Sequence, residues 1–340
     1  MKVFQLMSKV ALASCVLFAL GSCEENVDTI KEEKSLSQAE TITLAQAPNE
    51  WVTIESPSTS NARAPQAAGV DRGRFNITLK YVVPVTERQE EVFEAAAARW
   101  ERIIIKDVPS FTGTIPSAFA GIAPAVDGTL DDILIEVALA PIDGPGQVLG
   151  QAGPRYVRDE DFLTLTGVMF FDVADLDYLE EIDLFEEVIV HEMGHVLGVG
   201  TLWNVAQYGF DRTLVEATET NPYFTGQKAN VHWNAEGGED ELPVENIGGP
   251  GTRLGHWRES VLNNELMTGF LNLGENPLSR ITAASLKDLG YGAAVVGEQY
   301  DLPKGAQGVD VDELPEETGE GLNIAAMEEL LLPIGSVSVK

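Results

Sequence analysis

The apolar positions of this chain change period several times, and each change predicts an element. Phe75, Ile77, Leu79, Tyr81 and Val83 alternate with Asn76, Thr78 and Lys80, the period of a half-buried strand. Thr86 and Gln89 then form a capping-box signature for a helix running to about Lys106. Its apolar stripe is Val92, Phe93, Ala96, Ala97, Trp100, Ile103 and Ile104, a core-facing pattern. Pro109 and the Gly/Pro-rich residues up to Gly128 predict a long connection. A second strand is expected over Ile133–Ala138 and a third, strongly apolar, over Gly167–Asp172. Between them, Pro141–Arg155 reads as a loop able to line a cleft. The acids from Asp172 to Glu187 precede another apolar run, and negative charge suits a helix N-terminus, so a further helix should begin near Leu184.

That last helix carries the chemistry. Val188–Trp203 reads VIVHEMGHVLGVGTLW and contains H-E-x-x-H as His191, Glu192 and His195. Residues four apart lie one turn above each other on a helix, so both imidazoles face the same way. They can bind one zinc ion, with Glu192 beside them as candidate general base. The whole chain has only 4 histidines, and burying two of them with a carboxylate without a metal would be costly. Gly198 follows where the helix of a metzincin protease ends, and glycine accepts the left-handed conformation needed there.

Composition narrows the setting. The 340 residues suffice for one large domain or two modest ones, and a hydrophobic fraction of 44% supplies a substantial core. The balance of 22 basic against 54 acidic residues gives a net charge of −32, which argues against a nucleic-acid partner. Asp127, Asp131, Asp132 and Asp143 are acids that a calcium ion could gather, but their spacing matches no calcium loop; a solvated acidic face is the better reading, and calcium is unsupported.

Residues 1–22 read as a signal peptide: two lysines without acids, then the apolar run Val10–Leu20. Leu20-Gly21-Ser22-Cys23 resembles the lipobox of bacterial lipoproteins, which implies cleavage before Cys23 and acylation of that cysteine. The expected location is outside the cytoplasm, lipid-anchored to a bacterial cell-envelope membrane. Of the 2 cysteines, Cys15 would leave with the signal and Cys23 would carry lipid, so no disulfide is expected. Residues 23–70 then form a lipidated cysteine and flexible tether, 71–295 the catalytic domain and 296–340 an acidic extension. Within that extension, Leu322–Leu332 has the composition of a short helix.

A catalytic zinc needs three protein ligands and an open position. The compact metzincin pattern would place the third histidine at position 201, which is Thr201 here. His232 and His256 remain as histidine candidates, and Glu216 or Glu219 would serve an architecture with a downstream glutamate. The segment Gly255–Gly269, GHWRESVLNNELMTG, closely resembles the corresponding part of leishmanolysin-like metalloproteases, in which a long insertion separates the zinc helix from the third histidine. PVENIGGPGT and NPLSRITAASLKDLGY support the likeness, which runs from about Phe75 to Gly292. The resemblance implies His256 as third ligand and Met267 as the structural methionine turn beneath the metal. Gly269 stands where some metzincins have a tyrosine that assists the oxyanion.

The same resemblance implies an α+β, zincin-like metzincin fold: a twisted sheet and zinc-binding helix over an irregular C-terminal subdomain. It implies one catalytic zinc and a zinc-dependent endopeptidase acting on extracytoplasmic proteins or peptides, with Glu192 as general base. The alternative is a non-proteolytic surface-binding or adhesion lipoprotein on a zincin fold. The intact Glu192 argues against that alternative, since a binding module needs no base there.

Overall fold

The computed structural model describes residues 42–56, 73–249, 251–302 and 321–338. In chain order the first elements are β1 (Val52–Glu55), β2 (Ile77–Tyr81), α1 (Glu87–Glu101), β3 (Phe111–Ile115), β4 (Val126–Leu130), β5 (Ile133–Ala140), β6 (Gly150–Arg158) and β7 (Thr164–Asp172). Helices α2 (Val173–Glu181) and α3 (Phe185–Leu197) follow. Short pieces come next: β8 (Val215–Glu216), β9 (Tyr223–Phe224), α4 (Gln227–Ala235), β10 (Leu242–Pro243), α5 (Glu259–Leu262) and β11 (Leu271–Asn272). The chain continues through α6 (Arg280–Leu289), then β12 (Gly321–Leu322), β13 (Glu328–Leu330) and β14 (Gly335–Ser338).

The main sheet has the order β1-β14-β6-β7-β5-β2, with β13 also paired to β6. β2, β5 and β7 run parallel; β6 is antiparallel to β7. Every residue of β7 is buried, and so is nearly all of β5, because both strands are covered on two faces. This explains their continuous apolar runs, in contrast to the alternation of β2 near the edge. α1 and α3 pack together on one face, joined by a hydrogen bond from the Trp100 indole N–H to the Val190 carbonyl (2.9 Å). On the other face lie Leu134, Leu165 and Tyr156 with the β3–β4 hairpin. The fold is thus the α+β, zincin-like arrangement, with the irregular short elements gathered after α3.

α1 carries the capping box read from the sequence: the Thr86 side chain accepts the Gln89 N–H, and Gln89 Oε1 accepts the Thr86 N–H (2.8 Å). The helix stops at Glu101 rather than near Lys106. Ile104 instead bridges Ala293, and the Ile105 and Lys106 N–H groups donate to the Gly292 carbonyl.

Three expectations need correction. Pro141–Arg155 is not all loop, since its last residues open strand β6. Its glycines and proline answer to neighbours: a Cβ on Gly150 would meet the Phe171 ring at 2.8 Å, and Pro154 borders an irregularity in the β6–β7 register. Part of the expected tether, residues 42–56, is packed on the domain. β1 pairs in parallel with β14, Leu44 bridges Phe119, and the Trp51 ring stacks 6.1 Å from Phe162. Finally, Leu322–Leu332 is not a helix; it holds β12, a 3-10 turn at Ile324–Ala326, and β13. These residues pair with existing strand edges, which satisfies their backbone groups without a helix. The expected signal peptide at 1–22 and Cys23 lie outside the described residues. Among the described residues, no helix is long and apolar enough to cross a membrane.

Candidate metal centre

α3 begins at Phe185, one residue after the expected Leu184, with Glu186 and Glu187 in its first turn. From Val188 to Leu197 every residue is buried, so the helix is a core element on all sides. It ends at Gly198, whose φ of 109° is left-handed and whose N–H donates to the His195 carbonyl (3.1 Å). Thr201 donates its hydroxyl to that same carbonyl (2.6 Å). Where the compact pattern would place a ligand, this chain places a helix cap.

His256 reaches the helix from the far end of the insertion. Its carbonyl accepts the Glu245 N–H (2.9 Å), while the Trp257 N–H donates to the Met267 carbonyl (3.0 Å). Trp257 is buried against Trp203, ring centroids 4.5 Å apart, and its indole N–H donates to Thr282 (2.8 Å). The H-W pair therefore joins an anchor to a candidate ligand: the tryptophan fixes the segment that aims the histidine.

The three imidazoles converge through Nε2. Separations are 2.9 Å for His191–His195, 3.1 Å for His195–His256 and 3.3 Å for His191–His256. Around a tetrahedral zinc with Zn–N near 2.0–2.1 Å, ring nitrogens stand about 3.3 Å apart. The other nitrogens decide the tautomers. Nδ1 of His191 faces the Leu266 carbonyl (2.7 Å), that of His195 the Val199 carbonyl (2.9 Å), and that of His256 the Thr252 carbonyl (3.2 Å). A carbonyl only accepts, so each Nδ1 is assigned the proton. Three Nε2 lone pairs then point at one another, where no hydrogen bond can relieve them. A cation does so, and the carbonyl contacts are the outer support expected of metal-bound histidines.

Glu192 lies fully buried on the same helix, with no N–H or hydroxyl hydrogen bonded to either carboxylate oxygen among the described residues. Burial first, and the neighbouring Glu328 carboxylate second, push its pKa well above the ordinary range. Without a metal Glu192 therefore keeps its proton against the Glu328 carboxylate, and a cation at the histidines would favour the ionised form that a general base needs.

Glu328 is the unexpected member of the cluster. From β13 it places Oε1 2.8 Å from His256 Nε2, and Oε2 3.3 Å from His191 Nε2 and 3.6 Å from His195 Nε2. Its side chain is wholly buried. Burial opposes its ionisation; positive charge on the surrounding histidines, His256 first, would pull the carboxyl well below its ordinary range, a role that falls to a bound cation when Nε2 carries no proton. With the three histidines it forms a buried group able to hold a metal ion. The sequence offers no signal for it, because its position depends entirely on how the tail returns to the sheet.

Met267, the methionine turn that the resemblance implied, packs against α3. Gly194, between the two helix histidines, makes the contact possible: a Cβ there would sit 2.7 Å from Met267 Sδ and 2.9 Å from the Trp100 ring. The turn is held by Glu265, a fully buried acid that sequence reasoning passed over. It accepts from the Met267 N–H (2.7 Å), the Ser279 N–H (3.1 Å), the Ser279 hydroxyl (2.6 Å) and the Thr282 hydroxyl (2.5 Å). The one available clue was an acid directly before Leu266 and Met267.

The remaining candidates lie elsewhere. His232 is half-buried on α4 and outside the cluster; Glu216 and Glu219 are exposed. Of the four aspartates considered for calcium, only Asp131 and Asp132 come together, joined by Asp107. Asp132 spends its carboxylate on the Val108 and Asn76 N–H groups, and Asp131 accepts from Ser110. Asp127 pairs with Thr114, and Asp143 caps the Val148 N–H.

A twisted mixed sheet, a buried H-E-x-x-H helix ended by glycine, a distant third histidine and a methionine packed against that helix define a metallopeptidase of the metzincin type. A family model for leishmanolysin, peptidase family M8, matches residues 106–298, more than half of the chain. The chain belongs to the leishmanolysin family and is a metallopeptidase, for which zinc is the implied metal. The match takes in His191, Glu192, His195, His256 and Met267; Glu328 lies beyond it.

Proposed function

We propose that this chain is a zinc-dependent endopeptidase of extracytoplasmic proteins, held to the cell envelope through lipid on Cys23. The observation that carries the catalytic reading is the convergence of His191, His195 and His256, two of them on the helix that also carries the buried Glu192. The anchoring rests on the sequence of residues 1–23.

His191, His195 and His256 would hold the zinc through Nε2, their orientation fixed by the carbonyls of Leu266, Val199 and Thr252. Bound zinc supplies Lewis acidity, which makes water nucleophilic at neutral pH and polarises the scissile carbonyl. Glu192 accepts the proton of the attacking water and delivers it to the departing amine nitrogen. Gly269, in place of a tyrosine, contributes no side-chain donor to the oxyanion. An extended substrate could pair with the outer edge of β6 only once the strands now paired there, β13 and β14, had given it up.

A second reading has an observation in its favour. Four protein ligands are typical of a structural zinc, and Glu328 supplies a fourth donor. On that reading the chain is a binding protein with a metal-stapled core. The test is hydrolysis of unfolded casein by the zinc-loaded chain, in the wild-type and Glu328→Ala backgrounds, each with and without Glu192→Gln. Chelator-sensitive cleavage in either background, lost with Glu192→Gln while zinc is retained, supports the peptidase. Absence of cleavage in both backgrounds, with one zinc bound per chain, overturns it.

A further inference from the structure

The edge of β6 away from β7 is not free. β13 pairs with it in parallel, Glu328 opposite Gly150 and Leu330 opposite Ala152, and β14 continues the pairing from Tyr156 to Arg158. The Leu149 N–H donates to the Met327 carbonyl (2.7 Å), and the Leu331 N–H to the Ala152 carbonyl (2.7 Å). An exposed strand edge beside a metal is the natural template for an extended peptide. Here the chain's own C-terminal residues occupy it, and Glu328, the acid grouped with the three histidines among the described residues, projects from the occupying strand.

The contact is built from both sides. A Cβ on Gly153 would lie 2.0 Å from the Leu331 carbonyl oxygen, so glycine in β6 is what lets the tail lie this close. A Cβ on Gly255, next to His256, would sit 2.8 Å from Leu330 Cδ1. Thr252, whose carbonyl orients His256, donates its hydroxyl to the Ala325 carbonyl (2.8 Å), and the Ala325 N–H donates to the Gly269 carbonyl (3.1 Å). The tail thus touches the β6 edge, the loop of the third histidine and the residue after the methionine turn. All of them surround the metal centre.

We propose that residues 321–338 are an intramolecular inhibitor, and that Glu328 is a fourth metal ligand which takes the place of the catalytic water. The proposal rests on the peptidase reading above, since a permanently structural zinc would need no release. Its substance is that the chain in this conformation is latent: the nucleophile's position and the substrate's strand edge are both filled by one segment. Activation then requires β13 to leave β6. A Glu328–metal bond would add to the short pairing of β13, which is only 3 residues long.

The experiment measures the open coordination position directly, without relying on turnover. Zinc-loaded full chain, Glu328→Ala and Glu328→Gln are titrated calorimetrically with acetohydroxamate, a small chelating probe, and their zinc coordination is read by X-ray absorption. The expected result is an oxygen donor from carboxylate in the wild type, and acetohydroxamate affinity at least tenfold higher in both variants with zinc still stoichiometric. Casein cleavage should rise by at least tenfold in Glu328→Ala. Equal probe affinity in all three chains would overturn the proposal while leaving the peptidase intact. Loss of zinc from both variants would overturn it in favour of a structural fourth ligand. The Gln variant keeps the side-chain volume and decides the matter if the Ala variant misfolds, which circular dichroism reports. A wild-type chain that takes up no zinc would instead remove the metal-centre reading beneath it.

Discussion

Gly200 and Gly255 meet back to back: a Cβ on Gly200 would lie 2.0 Å from the Gly255 carbonyl oxygen. Gly200 stands just past the zinc helix, and Gly255 immediately before His256. The insertion between them therefore leaves and returns at one point, and that point sets the third histidine beside the first two. The insertion's own structure, from β8 to β10, is added outside this closure.

Gly200 also has a φ of 76°, a conformation that costs other residues roughly 1–2 kcal/mol. Gly200→Ala adds the clash with Gly255 to that strain. The expected outcome is a loss of about 2–4 kcal/mol of stability together with weakened zinc binding, because the displaced segment carries His256. Urea unfolding and zinc titration check the two effects separately. Unchanged zinc affinity in the folded variant would show that the closure does not position the histidine.

Glu265→Gln tests the support of the methionine turn. An amide keeps one acceptor oxygen but turns an NH2 towards one of the four donors, leaving a buried mismatch of roughly 1–3 kcal/mol. Burial raises the Glu265 pKa despite those donors. An acid raised in the folded state holds its proton more tightly there, so its contribution falls as pH rises from the unfolded pKa through the folded one. Chemical denaturation across that acidic range should show less pH dependence in the Gln variant, and an identical slope would remove the assignment.

Removing the metal should destabilise the domain as well as its chemistry. Three converging Nε2 lone pairs and the adjacent Glu328 carboxylate are tolerable around a cation and repulsive without one. Ligand binding to the native state alone stabilises by about 2.7 kcal/mol at a hundredfold excess over Kd. Calorimetric melting with EDTA should therefore give a Tm lower by several degrees, restored by added zinc. An unchanged Tm would mean that the cluster holds no metal in the folded chain.

Asp132 provides a pH dependence far from the catalytic groups. Burial pushes its pKa up to about 7, against the pull of its two backbone donors. The folded chain then binds a proton that the unfolded chain releases near pH 4, so this group's contribution to stability falls as pH rises from about 4 to about 7. Urea midpoints across that window should fall less steeply for Asp132→Asn, whatever its baseline stability.

What the sequence determined by itself was local. The capping box at Thr86, the zinc helix from near Leu184 to Gly198, and the same-face placement of His191 and His195 follow from spacing along one helix. The likeness of GHWRESVLNNELMTG to the leishmanolysin segment singled out His256 and Met267, and the folded chain brings both to that helix. Elements whose residues answer to distant partners were illegible. β6 reads as loop because Gly150 and Gly153 are small for the sake of Phe171 and Leu331. Trp51 reads as tether because its aromatic neighbours lie beyond the helix of the metal centre or before it. Glu328 had no local pattern at all: only the return of the tail to the β6 edge places its carboxylate 2.8 Å from His256. Helix periodicity encodes which ligands share a face, whereas strand pairing across the whole chain decides what fills the space in front of them.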